Sequence, residues 1–154
     1  MIKSNWKDTN MLIKDLVDKK LLTPPVWMVQ NTSYLGINGS IAYGVAEDTS
    51  DFDVYGFCIP PKSEIFPYQE KLYGFDSVSV FEQFQQHKVF DQNALGGKGR
   101  EYDFTIFSIV KYFKLLVEGN PNIIDSLFIP QSCILHSTRV SEMVRDNRKL
   151  FLSK

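Results

Sequence analysis

The spacing of apolar positions changes repeatedly along the chain. Leu12, Ile13, Leu16, Val17 and Lys20 fall at helical intervals within residues 10–22, which predicts an amphipathic helix there. Thr23-Pro24-Pro25 stops it, because proline cannot continue a helix. Residues 26–29 and 34–37 are short β-rich runs, and 52–59 is a stronger one ended by Pro60-Pro61. Between them, Asn38-Gly39-Ser40 followed by Ile41-Ala42-Tyr43-Gly44 reads as a turn from a strand into a helix, and 47–50 as a polar loop. Polar and apolar residues roughly alternate over 78–84, which predicts a strand, and 101–106 predicts another. Gly96, Gly97 and Gly99, beside Lys98 and Arg100, mark 91–100 as a loop.

Helices dominate the rest. Phe107, Val110, Phe113, Lys114 and Val117 define a mainly apolar face, with Gly119 closing the helix. Asn120-Pro121 starts the next helix, with Asn at the N-cap and Pro at the first helical position. Its expected buried side is Ile123, Ile124, Leu127 and Phe128, and Pro130 closes it. A last helix is expected from 137 to about 150. The sequence has no internal repeat and no low-complexity tract. Strands lie among helices without regular β-α-β alternation, so the expected class is α+β.

Composition narrows the function. A chain of 154 residues suits one domain. With 17 Lys and Arg against 18 Asp and Glu, it lacks the basic excess of a protein that coats nucleic acid by bulk charge, so any such contact is local. Two cysteines, Cys58 and Cys133, make no disulfide scaffold, and a reducing cytoplasmic setting is the simpler expectation. No apolar run approaches the ~20 residues that span a bilayer, so no membrane partner is expected. The first residues lack the apolar core of a secretory signal.

The candidate chemistry lies in Gly39-Ser40-Ile41-Ala42-Tyr43-Gly44 and Ser50-Asp51-Phe52-Asp53-Val54-Tyr55-Gly56. Asp51 and Asp53 are two apart at the start of a strand, so alternation puts both carboxylates on one face, with Cα atoms roughly 6.5–7 Å apart. Such a pair is relieved by a cation. Hard oxygen donors in small number suit Mg²⁺, which completes its shell with water and substrate phosphate. A solvated turn is the plainer account of Asp-x-Asp alone. Upstream, Gly39 allows the backbone to approach a ligand closely, and Ser40 is placed to open a helix whose N–H groups favour an anion. A simple helix cap is the plainer account of Ser40.

Together, Gly39-Ser40 and Ser50-Asp51-x-Asp53 resemble the signature of the DNA polymerase β-like nucleotidyltransferase superfamily. Gly-Ser-x-Ala-Tyr-Gly, Ser-Asp-x-Asp-x-x-Gly-x-x-x-Pro-Pro and Asn120-Pro121-Asn122 with Leu127-Phe128 resemble a subgroup associated with RNA repair. The likeness runs from about Pro24 to the C-terminus. It implies a small mixed sheet flanked by helices in a single domain, 1–154, with an N-terminal helical extension at 1–23, a sheet and catalytic core at 24–106 and C-terminal helices at 107–154. It implies that Gly39, Ser40, Tyr43 and Ser50 bind a nucleoside triphosphate such as ATP. It further implies that Asp51, Asp53 and a third carboxylate hold two Mg²⁺ or Mn²⁺ ions. Asp103, in a β-rich run directly before a helix, is the best candidate for the third. Glu101 is the runner-up, and Asp76 and Asp91 are less well placed.

The activity implied is transfer of a nucleoside monophosphate from an NTP to a hydroxyl, with release of pyrophosphate. The acceptor is an RNA end, a protein side chain or a small molecule. Small antitoxin-type relatives that adenylylate a partner protein keep the second option open, and a nucleotide- or nucleic-acid-binding module without turnover is the alternative on the same fold. Relatives continue with further helical sequence, so the resemblance implies a shortened chain, or one completed by a partner chain or a homo-oligomer.

Other signals are weaker. Gly96-Gly97-Lys98-Gly99-Arg100 lacks the ending of a P-loop. Arg139, Arg145, Arg148 and Lys149 alternate with Glu142 and Asp146, as on a solvated mixed face. His87, His136, Cys58 and Cys133 lack zinc spacing, and His87 reads as a surface imidazole. Tyr43 and Tyr55 flank the proposed site and are placed to stack on a nucleobase.

Overall fold

A computed structural model describes residues 11–45, 51–65 and 80–152. Its centre is one mixed sheet of five strands: β1 (Thr32–Asn38), β2 (Phe52–Cys58), β3 (Gln83–Asp91), β4 (Arg100–Ser108) and β5 (Ile134–Ser137). The spatial order is β3-β4-β2-β1-β5. β2 and β4 run parallel, and the other neighbours are antiparallel. The helical pieces are α1 (Met11–Asp18), the single turns α2 (Met28–Asn31), α3 (Lys62–Ile65) and α4 (Ala94–Gly97), then α5 (Ile109–Val117), α6 (Pro121–Phe128) and α7 (Arg139–Asp146). This is the α+β class that the sequence pattern predicts.

Strand alternation sends side chains to two separate cores. On one face Ile13 and Leu16 of α1 join Leu22, Met28, Leu35, Val54, Phe104 and Ile106. On the other, Tyr34, Phe57 and Phe107 meet Tyr112 and Leu116 of α5, Ile123 and Leu127 of α6, and Val144 of α7. The helices behind this second face are well capped. Ser108 accepts from the Lys111 N–H, Asn120 from the Ile123 N–H, and Thr138 forms a capping box with Ser141. Gly119, at φ +75°, takes the left-handed turn that ends α5.

Several elements differ from the sequence expectation. The helix at 10–22 ends at Asp18, because Lys20 turns to φ +59° and brings the N–H groups of Leu21 and Leu22 back onto the Leu16 carbonyl. Residues 26–29 are not a strand: the Met28 N–H closes on the Pro25 carbonyl, and α2 follows. The turn after β1 does not become a helix. Gly39 and Gly44 both adopt positive φ, and the chain folds back through a bond from Val45 N–H to the Ser40 carbonyl.

Of the strand predicted at 78–84, residues 78 and 79 lie outside the described residues, and pairing begins only at Gln83. The strand then runs through Gln85, Gln86, His87 and Lys88, the last two unpaired in a bulge, and these read as polar because β3 is an edge strand. Residues 91–100 form a tighter hairpin than a loop, with β3 reaching Asp91 and β4 starting at Arg100.

The buried face of α5 is rotated from the expected one. Tyr112 and Leu116 are buried, while Val110 and Val117 point outward, because this helix packs on Phe57 and Phe107 through its tyrosine. On α6 Phe128 is exposed, and Ser126 takes the interior place by bonding the Ile123 carbonyl and the Tyr112 hydroxyl. β5 has no counterpart in the sequence reading; its four residues have no periodicity, and only pairing with β1 makes them a strand. Cys58 and Cys133 are both buried and free. Among the described residues no helix is long and apolar enough to cross a membrane.

Candidate active site

The parallel pairing of β2 with β4 places Asp53 directly beside Asp103. The antiparallel pairing of β2 with β1 places Asn38 on the other flank of Asp53. Residues directly opposite in adjacent strands share a face, with Cβ atoms about 4.5–5.5 Å apart in antiparallel pairs. Asn38, Asp53 and Asp103 therefore form a row across three strands, on the face covered by α5 and α6. Gly39 follows at once. A Cβ added to it would lie 2.5 Å from Asp53 Oδ2, and its φ of +71° is one that other residues rarely adopt. Only glycine lets the turn lie this close to the carboxylate.

The electrostatics follow from this crowding. Burial, then the Asp103 charge, then the Asp51 charge raise the Asp53 carboxyl above its ordinary value, and His87 opposes them. Burial and the same two carboxylates, Asp53 and Asp103, raise the Tyr55 phenol. Asp51 is exposed, one residue before β2. Among the described residues neither Asp51 nor Asp53 has a salt-bridge partner.

Asp103 is held by the edge strand. Its Oδ1 accepts from the Lys88 backbone N–H at 2.7 Å, and its Oδ2 lies 3.4 Å from His87 Nδ1. The strand makes this possible with a bulge between Gln86 and Val89, where Lys88 sits at φ +56°. A bulge turns backbone donors out of the ladder and re-aims them.

A cavity of about 380 Å³ opens beside this row. Asn38, Asp53 and Tyr55 form its floor, and Asn122, Asp125 and Phe128 of α6 its wall. Tyr43 also lines it, and its hydroxyl donates to Asp125 Oδ2 at 2.5 Å, which ties the turn after β1 to α6. Among the described residues no lysine or arginine lines it.

The structure thus brings together Asp53, Asp103, Gly39 and, across the cavity, Tyr43. Ser40 is half-buried in the turn beside Gly39, and Ser50 lies outside the described residues. Of the alternatives for the third carboxylate, Glu101 is opposite Phe90 and does not bear on Asp53. Asp91 is buried and bound to Lys19 at 2.9 Å, and Asp76 lies outside the described residues. Asn38, Asn122 and Asp125 were not among the expected site residues. Their sequence signals are a polar residue immediately before Gly39-Ser40, the place of Asn122 in the Asn120-Pro121-Asn122 motif, and a polar residue one turn further along α6. His87 is exposed on the edge strand, and its Nδ1 lies beside Asp103.

Among the described residues no three His, Cys, Asp or Glu side chains are gathered so as to hold a metal by themselves. The donor chemistry nevertheless fits a hard cation. Asp53 and Asp103 are adjacent oxygen donors, Asp53 without an ion-pair partner among the described residues, and Mg²⁺ is ordinarily held by one or two carboxylates together with water and substrate phosphate.

This five-stranded mixed sheet flanked by helices is a fold of the polymerase β-like nucleotidyltransferase type. More narrowly, the chain belongs to the RNA repair pathway DNA polymerase beta family (RlaP), whose model matches residues 25–154. No curated protein and no solved structure matches the chain.

Proposed function

We propose that the protein is a divalent-metal-dependent nucleotidyltransferase that moves a nucleoside monophosphate from an NTP to a hydroxyl, releasing pyrophosphate, and that the acceptor is an RNA end. The observation that carries this reading is the pairing of Asp53 with Asp103 on adjacent parallel strands, with Gly39 against Asp53. Family membership in an RNA repair pathway favours RNA over a protein acceptor. Asp53, with Asp103 and Asp51, would hold Mg²⁺ or Mn²⁺, and the bound metal would neutralise phosphate charge and lower the pKa of the attacking hydroxyl.

The protein's own residues supply position and field. The turn at Gly39-Ser40 would bring its backbone, with no side chain of its own at Gly39, against a phosphate held beside Asp53. Asp103, held by the Lys88 N–H and beside His87, would lie next to the nucleophile and accept its proton. Tyr43 and Tyr55 bound the space beside Asp53 where the nucleoside would lie.

Incubation with α-labelled NTPs, Mg²⁺ and RNAs carrying different ends tests the reading. Label is expected in RNA, with Asp53→Asn and Asp103→Asn each lowering the rate by ~10²-fold or more. Label appearing only in protein would replace the acceptor. Wild-type rates in both variants would refute the enzyme.

A further inference from the structure

Asn38 has no evident reason to be where it is. It is 8% exposed, yet both its Oδ1 and its Nδ2 lack a hydrogen-bond partner. Buried carboxamides without partners are rare, because each unsatisfied group carries its full desolvation cost. Asn38 lines the cavity beside Asp53, and the cavity has the volume of a small-molecule site, about 300–1,000 Å³. Its two amide atoms are screened from open solvent in this conformation, so a partner must come from within the cavity after rotation of the amide.

Three features of the cavity select the partner's chemistry. Among the described residues its charged lining groups are carboxylates, Asp53 and Asp125, with no lysine or arginine beside them, so these walls disfavour a phosphate. Asn38 is the cross-strand neighbour of Asp53. If Asp53 takes the metal and phosphate, the ligand group within reach of Asn38 is the one directly joined to the phosphate, which is the sugar and not the base. Finally, a carboxamide presents one donor and one acceptor side by side, and so matches two vicinal hydroxyls, each of which both donates and accepts. On the far wall, Asp125 uses Oδ2 for Tyr43 and keeps Oδ1 as an acceptor for a hydroxyl.

We propose that the cavity between β1, β2 and α6 is a sugar subsite that selects ribonucleotides over 2′-deoxyribonucleotides, with Asn38 reading the ribose hydroxyls and Asp125 accepting from the same sugar. This rests on the nucleotidyltransferase reading of Asp53. A site built to bond a hydroxyl discriminates strongly against the analogue that lacks it, because its buried polar groups are then left unpaired.

Titration of ATP, GTP, CTP and UTP and their 2′-deoxy forms, with Mg²⁺ and by calorimetry, tests it on wild type, Asn38→Ala and Asp125→Asn. Wild type is expected to bind the ribo form of the preferred base at least ~10-fold more tightly than the deoxy form, the worth of one hydrogen bond to a buried group. Asn38→Ala is expected to bring that ratio close to one while leaving deoxynucleotide affinity within ~2-fold, and Asp125→Asn to reduce it. Asn38→Ala removes two unsatisfied groups, so its melting temperature should not fall, whereas a structural asparagine would be missed on folding. Equal binding of ribo and deoxy forms by wild type, or an undiminished ratio in Asn38→Ala, overturns the subsite and leaves the nucleotidyltransferase reading intact. Failure of every triphosphate to bind wild type overturns both.

Discussion

At the scale of single residues, the site is assembled by backbone exceptions as much as by side chains. Lys88 occupies a left-handed conformation that costs an L-residue roughly 1–2 kcal/mol, and its N–H is thereby delivered to Asp103. Lys88→Gly should relieve that cost and keep the N–H. Set against the greater chain entropy of glycine, a gain of ~0.5–1 kcal/mol in a denaturant melt is expected with transfer activity retained. Lys88→Pro removes the N–H and forces φ near −65°, so it should lose both stability and activity. If the two variants behave alike, the bulge does not hold Asp103. Asp53 offers a second case. Its folded carboxyl is raised from 3.8, so in the window above 3.8 the folded state holds its proton more tightly than the unfolded chain. Stability therefore falls as pH rises through that window and stays lower above it. Asp53→Asn, uncharged throughout, should melt above wild type at neutral pH, with the difference closing as pH drops below 3.8. A constant difference across pH would assign the effect to packing. The pairing of Asp53 with Asp103 was anticipated from the sequence, Asp53 by its short motif and Asp103 by the family resemblance, which calls for a third carboxylate in a β-rich run before a helix. Asn38, Asp125 and His87 were not, since only strand pairing and the docking of α6 bring them to the same place.

At the scale of elements, the predictions held where caps and periodicity act locally. They failed where a partner element decides. The start of α6 follows from Asn120-Pro121 alone, and the strand at 52–58 from its own run of apolar residues. The buried side of α5 does not follow from its own sequence, because Val110 and Val117 are as apolar as the residues that pack inward. What orients the helix is a polar contact in the core. Ser126 Oγ donates to the Ile123 carbonyl, so the Tyr112 hydroxyl must be the donor to Ser126 Oγ, and the Tyr34 hydroxyl donates to the Ser126 carbonyl close by. Burial raises both phenols, so they remain protonated donors. Ser126→Ala leaves the Tyr112 hydroxyl buried and unpaired and should cost ~1–3 kcal/mol. Tyr112→Phe in the same chain removes the orphan, so the double variant should cost less than the sum of the two singles. Strict additivity in urea unfolding would show that the contact does not couple α5 to α6.

At the scale of the whole molecule, the segment that carries the family likeness and the segment that completes the fold are not the same. The family model matches from residue 25, but Ile13, Leu16 and Leu22 lie before it and are essentially inaccessible. They cover the sheet face formed by Leu35, Val54, Phe104 and Ile106, opposite the face that bears Asp53 and Asp103. Lys19 adds a tie from the end of α1 to Asp91 at the end of β3, the strand whose bulge holds Asp103. Removing α1 would thus expose apolar residues on three strands and loosen the edge strand at the site. Single truncations of this kind, Leu16→Ala among them, should cost ~2–5 kcal/mol, a large part of the ~5–15 kcal/mol that holds a domain together. A chain beginning at residue 24 keeps all of the proposed catalytic groups and every residue of the family match. It should nonetheless aggregate or lose its cooperative thermal transition, and bind triphosphate only as far as it folds. Circular dichroism, size-exclusion chromatography and nucleotide titration of that chain decide the matter: a monomer with an unchanged melting temperature would show that the sheet closes without α1 and that the covered face is stable without it.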